Sequence, residues 1–96
     1  MTVQTQRLLK QAAAILPATS DELMLRGIAA ETTDRIVALK KSEKRLLRKY
    51  GTFDSVEQQI KSVGVSPDDH TLYTDLLEWR AIRYELAALI NLLETL

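Results

Sequence analysis

The stretch Leu72-Tyr73-Thr74-Asp75-Leu76-Leu77-Glu78-Trp79-Arg80-Ala81-Ile82-Arg83-Tyr84-Glu85-Leu86-Ala87-Ala88-Leu89-Ile90-Asn91-Leu92-Leu93 contains neither Gly nor Pro. Its positions Leu72, Leu76, Trp79, Arg83, Leu86, Ile90 and Leu93 recur in alternating steps of four and three, the spacing of a helix in an antiparallel bundle or coiled coil. Just upstream, Ser66-Pro67-Asp68-Asp69 reads as a helix start. Ser is a capping residue, Pro suits the first helical position, and two carboxylates meet the positive end of the helix dipole. Together these features predict a helix from about 67 to 95. A second stripe runs through Leu25, Ile28, Thr32, Ile36, Leu39, Glu43, Leu46 and Tyr50. It predicts a helix over about 20–50, roughly 46 Å long at 1.5 Å per residue. Thr19-Ser20-Asp21-Glu22 has the form of a capping box at its start, and Gly51 suits its end. Gly27 is its weak point, where a break or kink is expected. Between the two stripes, Phe53, Val56, Ile60 and Val63 share one face of a short helix over 53–63, stopped by Gly64. A first helix over 3–16 ends before Pro17, which pushes its predecessor out of the α region.

These elements define an all-α fold: one helical domain over 1–96, built as an antiparallel helical hairpin or small bundle. Its two long helices (about 20–50 and 67–95) are accompanied by an N-terminal helix and a short connecting one. Charge supports the antiparallel arrangement. Lys40, Lys41, Lys44, Arg45, Arg48 and Lys49 crowd the end of the second helix against Glu43 alone, whereas residues 66–78 hold Asp68, Asp69, Asp75 and Glu78 and no base. The two blocks meet only if the long helices run in opposite directions. Exposed ion pairs contribute little stability, so they select orientation while the Leu, Ile and Trp seam supplies most of the free energy. Thr32, Glu43 and Arg83 interrupt the seams. Either Glu43 and Arg83 pair across the interface and fix register, or each lies at the seam edge with its polar tip in water.

Composition narrows the functional classes. The chain has 96 residues, 13 acidic and 13 basic, hence no net charge, and no Cys. Thiolate nucleophiles, disulfides and Cys-based metal sites are excluded. Bulk attraction to nucleic acid or membrane is not indicated. No apolar run nears the roughly 20 residues of a membrane span. Arg7 and Lys10 precede only five apolar residues, Ala12 to Leu16, too few for a secretory signal core. A cytoplasmic protein is therefore expected. His70 is the only histidine, and it reads as a solvated helix-start residue. Asp75 and Glu78 are i,i+3 neighbours that read as surface charge, with divalent-ion binding the alternative. The basic run offers phosphate contacts, yet no aromatic residue interleaves it before Tyr50, so base stacking has little support. No cofactor and no metal is expected, and no enzymatic activity.

The more informative feature is the side of the last helix opposite its seam. At 100° per residue, Tyr73, Leu77, Tyr84 and Ala88 cluster there, flanked by Arg80. Tyr and Arg are enriched at interface hot spots. Either the first or third helix covers this flank, or it meets a partner or a second copy.

Lys49-Tyr50-Gly51-Thr52-Phe53-Asp54-Ser55-Val56-Glu57-Gln58-Gln59-Ile60 followed by Leu72-Tyr73-Thr74-Asp75-Leu76-Leu77-Glu78-Trp79 resembles a group of small helical prokaryotic proteins regarded as antitoxin-like. Their pattern is Lys-Tyr-Gly, a short helix, an acidic loop, then Glu-Trp opening a long helix. The likeness covers about residues 43–93, with Tyr50, Gly51, Glu78 and Trp79 as anchors. It implies a non-catalytic protein that binds and neutralises a toxin-like protein partner. The residues expected to meet that partner are Tyr73, Leu77, Arg80 and Tyr84, with Lys44, Arg45 and Arg48 at the rim. The alternatives are nucleic-acid binding through the basic end of the second helix, or a self-associating structural protein.

Overall fold

The computed structural model describes residues 1–96 and contains four helices and no strand: α1 (Val3–Ile15), α2 (Ser20–Tyr50), α3 (Phe53–Val63) and α4 (Thr71–Thr95). Three of the four start alike. The hydroxyl oxygens of Thr2, Thr19 and Thr52 accept from the backbone N–H groups of Thr5, Glu22 and Ser55 at 3.0, 3.1 and 3.1 Å, each satisfying a donor that has no partner inside its helix. α2 runs unbroken through Gly27. It ends at Gly51 (φ +91°) and α3 ends at Gly64 (φ +81°), backbone conformations that a Cβ disfavours.

α4 begins at Thr71, four residues later than the expected start at 67. Ser66 does accept from the N–H groups of Asp68 and Asp69, both at 3.3 Å, and the Asp69 carboxylate accepts from the Thr71 N–H at 2.9 Å. These local bonds close a turn around Pro67 in place of a first helical turn. His70 becomes the flanking residue and gives no side-chain cap.

α2 and α4 lie side by side with opposed chain directions. Arg35 bonds Glu85, Arg45 bonds Glu78 and Lys49 bonds Asp75, so partners ascend along one helix as they descend along the other. Leu39, Leu46, Val56, Leu76, Trp79, Ile82 and Leu86 form the buried core. Each fully buried large side chain contributes about 1.5–3 kcal/mol. α3 covers only the end of the pair near the α2–α3 turn, through Val56 and the partly buried Phe53 and Ile60. No α1 residue is buried, and the α1 backbone comes within 8 Å of α2 but of neither α3 nor α4. The molecule is elongated, 62 × 23 × 19 Å.

The buried face of α4 departs from the stripe read in the sequence. Asp75, Ile82 and the partly buried Leu89 join Leu76, Trp79 and Leu86, whereas Arg83 and Ile90 are exposed. The reason is the number of neighbours. Near its start α4 is flanked by both α2 and α3, so a wide arc is covered. Beyond Arg83 only α2 remains, and the arc narrows to the residues that face it.

Candidate protein-interaction surface

The side chains that lock α2 to α4 form the polar frame of the molecule. Asp75 is buried at 9% relative exposure. Its Oδ2 accepts from Lys49 Nζ at 2.8 Å and from the Tyr50 hydroxyl. Hydrogen bonds from Lys49 and Tyr50 hold the Asp75 carboxyl below its usual pKa. Burial and the bond to Asp75 push the Tyr50 phenol above its own. One turn further along, Arg45 Nη2 donates to both oxygens of Glu78 at 2.9 and 3.1 Å. Asp75 and Glu78 thus serve separate cations and do not converge on one site. Arg35 donates from Nε and Nη2 to the two oxygens of Glu85 at 2.8 and 3.0 Å, and this bond lowers the Glu85 carboxyl.

Glu43 and Arg83 do not pair. Glu43 accepts from the indole N–H of Trp79 at 3.2 Å. The Arg83 guanidinium stacks over the Phe53 ring, 4.2 Å from its centroid, and Phe53 meets Trp79 edge-on at 5.6 Å. Trp79 is large, 1% exposed and has one polar atom. That atom requires a partner when buried, and Glu43 is the acceptor opposite it.

The outer flank of α4 carries the expected binding residues. Tyr73, Leu77 and Tyr84 are 40%, 45% and 82% exposed. α1 lies away from this flank, whereas α3 borders its start. There Arg80 Nη2 sits 3.5 Å from Glu57 Oε2, and Lys61 Nζ donates to the other oxygen, Oε1, at 3.1 Å. The two cations, Lys61 first, lower the Glu57 carboxyl. Arg80 is therefore tied to α3, at the edge of the apolar stripe. Tyr73 also lines a cleft of about 390 Å³ with Ile60, Val63, Val65 and Leu72. The apolar flank thus runs from that cleft over Leu77 to Tyr84.

The structure does not bring the two expected residue groups together. Lys44 and Arg48 stand on the side of α2 turned away from α4, some 140–180° around the helix from Leu39 and Leu46. The Tyr73–Leu77–Tyr84 flank faces away from α2. Lys44 and Arg48 therefore belong to a separate basic surface with Lys41, and Arg45 is held by Glu78. Sequence reading missed the burial of Asp75 and the Arg35–Glu85 pair. Antiparallel counting from Arg45–Glu78 sets Lys49 within a residue of Asp75 but places residue 35 opposite 88, about one turn from Glu85, so the first contact was within reach of the sequence and the second was not.

No protein-family model matches this chain, and no curated protein or solved structure is similar to it. No helix is long and apolar enough to cross a membrane.

Proposed function

We propose that the chain is a non-catalytic protein-interaction module, an antitoxin-like cytoplasmic protein whose α2–α4 hairpin presents the outer flank of α4 to a toxin-like partner. The observation that carries this reading is the exposure of Tyr73, Leu77 and Tyr84 on one side of a helix whose other side is in the core. Large aromatic and aliphatic side chains left in water along one stripe gain free energy when a partner covers them. Asp75, Glu78 and Glu85 are occupied in holding α4 to α2 and lie outside the flank. The resemblance over residues 43–93 supplies the partner class.

The test is co-expression with the product of the neighbouring gene, followed by mass measurement of the purified species. A complex is expected, and Leu77→Asp with Tyr84→Asp abolishes it while leaving helix content unchanged. Recovery of this chain without the partner, or a complex indifferent to both substitutions, rejects the reading.

A second reading rests on the basic surface. Lys41, Lys44 and Arg48 gather on one side of α2 and none is engaged by an acid of the chain, which suits contacts with nucleic-acid phosphates. Retention on DNA or RNA that falls steeply with salt, and falls again in Lys44→Glu with Arg48→Glu, would establish it. Unretained flow-through at low salt rejects it.

A further inference from the structure

On the side of the α2–α4 pair where α3 packs, α3 stops covering the seam at Phe53, level with Trp79 and Arg83. The same side of α4 continues beyond it as Arg83, Ala87, Ile90 and Glu94, spaced by four, three and four. This is the helical stripe that began at Leu72, Leu76 and Trp79, now without a third helix over it. Ile90 is 40% exposed, and Leu25, on the same side of α2, is similarly open. Ala87 presents a small side chain, which allows close helix approach. The α1 backbone comes within 8 Å of α2 but not of α4, so α1 leaves the α4 side of the groove open. Its two charges are both without an ionic partner: Arg83 rests on the Phe53 ring, and Glu94 stands near the end of the helix, joined to no cation.

We infer that the occupant of this groove is a second copy of the same chain, whose α4 lies antiparallel across it about a twofold axis between Ala88 and Leu89. In such an isologous contact each residue meets the residue equally far on the other side of the axis. Arg83 then faces Glu94 of the second copy, and Ala87 faces Ile90 of the second copy. The reciprocal contacts follow by symmetry. The stripe is thus complementary to its own reverse: positive against negative at both ends, large against small in the middle. A parallel arrangement would oppose like charges at both ends instead. Between Leu86 and Leu93 no residue is charged, and the chain has no net charge, so two copies approach without repulsion. The contact continues the seam where α3 leaves it, which makes the far half a bundle assembled from two molecules. It uses a side of the far half of α4 that adjoins the Tyr84 flank, roughly 90° around the helix from it, so it goes beyond the partner-binding reading and does not depend on it.

The test is the solution mass of the full chain by light scattering and sedimentation, from micromolar to hundreds of micromolar, with charge reversals. The wild-type chain is expected at twice 10.9 kDa. Arg83→Glu alone and Glu94→Arg alone each weaken the dimer by about tenfold or more, because each puts like charges together twice. The double reversal restores affinity to within about threefold, because the pairs re-form with signs exchanged. Loss of the Arg83–Phe53 stacking cannot mimic this rescue, and Glu94→Arg lies too far from the core to unfold the chain. A mass of one chain at every concentration overturns the inference. A dimer indifferent to both single reversals overturns it, as does one weakened by them but not rescued by the double.

Discussion

Trp79 shows how much one residue can hold. It packs against α2 and α3 at once, meets Phe53 edge-on and donates to Glu43. Trp79→Ala removes all three contacts and leaves a cavity in a small core. A loss of about 3–5 kcal/mol in denaturant-melting stability is expected, and a loss near zero would mean that the seam closes without it. Asp75 is the residue with a pH signature. Its folded-state pKa is lowered by hydrogen bonds from Lys49 and Tyr50, so its stabilising contribution is present above the unfolded value, near 4. The contribution is lost as pH falls through the lower folded value. Tyr50 is raised, so its contribution holds below about pH 10 and is lost as pH rises through the higher folded value. Thermal melts across the acid range should show stability falling below about pH 4, with a shallower fall in Asp75→Asn.

Among the elements, the turn between α2 and α3 is tightly specified. Tyr50 closes one helix, Gly51 reverses the chain at φ +91°, and Thr52 caps the next helix through Ser55. A Cβ at Gly51 would meet no neighbouring atom, so its cost is conformational alone. Gly51→Ala should lower stability by about 1–3 kcal/mol, measured by chemical denaturation, because φ +91° with ψ −80° is a region residues with a Cβ rarely adopt. A neutral outcome would mean that the turn relaxes to another conformation without harm to α3. The start of α4 illustrates why a strong local signal misplaces a boundary. Ser, Pro and two Asp residues suit a helix N-terminus, but the same Ser66 hydroxyl serves a turn equally well. The bonds it makes to Asp68 and Asp69 postpone the helix to Thr71.

At the scale of the whole molecule, stability is concentrated at one end. α3, the second half of α2 and α4 up to Leu86 supply the buried core, while α1 contributes no buried residue. Deletion of residues 1–18 should therefore shift the unfolding free energy by less than about 0.5 kcal/mol, as surface changes do. A larger loss would show α1 holding the far end of the α2–α4 pair. Hydrogen exchange should follow the same gradient, with amides near Leu46 and Trp79 slowest and those of α1 fastest.

Periodicity and punctuation in the chain sufficed for the number of helices and nearly all of their limits, because Thr caps, Pro17, Gly51 and Gly64 act through bonds to neighbours a few residues away. The opposed charge blocks likewise indicated that the end of α2 lies beside the start of α4, and the structure supplies the individual contacts, Lys49–Asp75 and Arg45–Glu78. Local rules do not say which arc of α4 each neighbour covers, because burial depends on how many helices stand beside it at each level. That is why Asp75, Ile82 and Leu89 turned inward while Arg83 and Ile90 stayed out, and why Glu43 found the Trp79 indole instead of Arg83. The same dependence separated Lys44 and Arg48 from the Tyr73–Leu77–Tyr84 flank. Residue types told which side chains favour contact, and only the packing of three helices around Trp79 decided which of them remain free to make one.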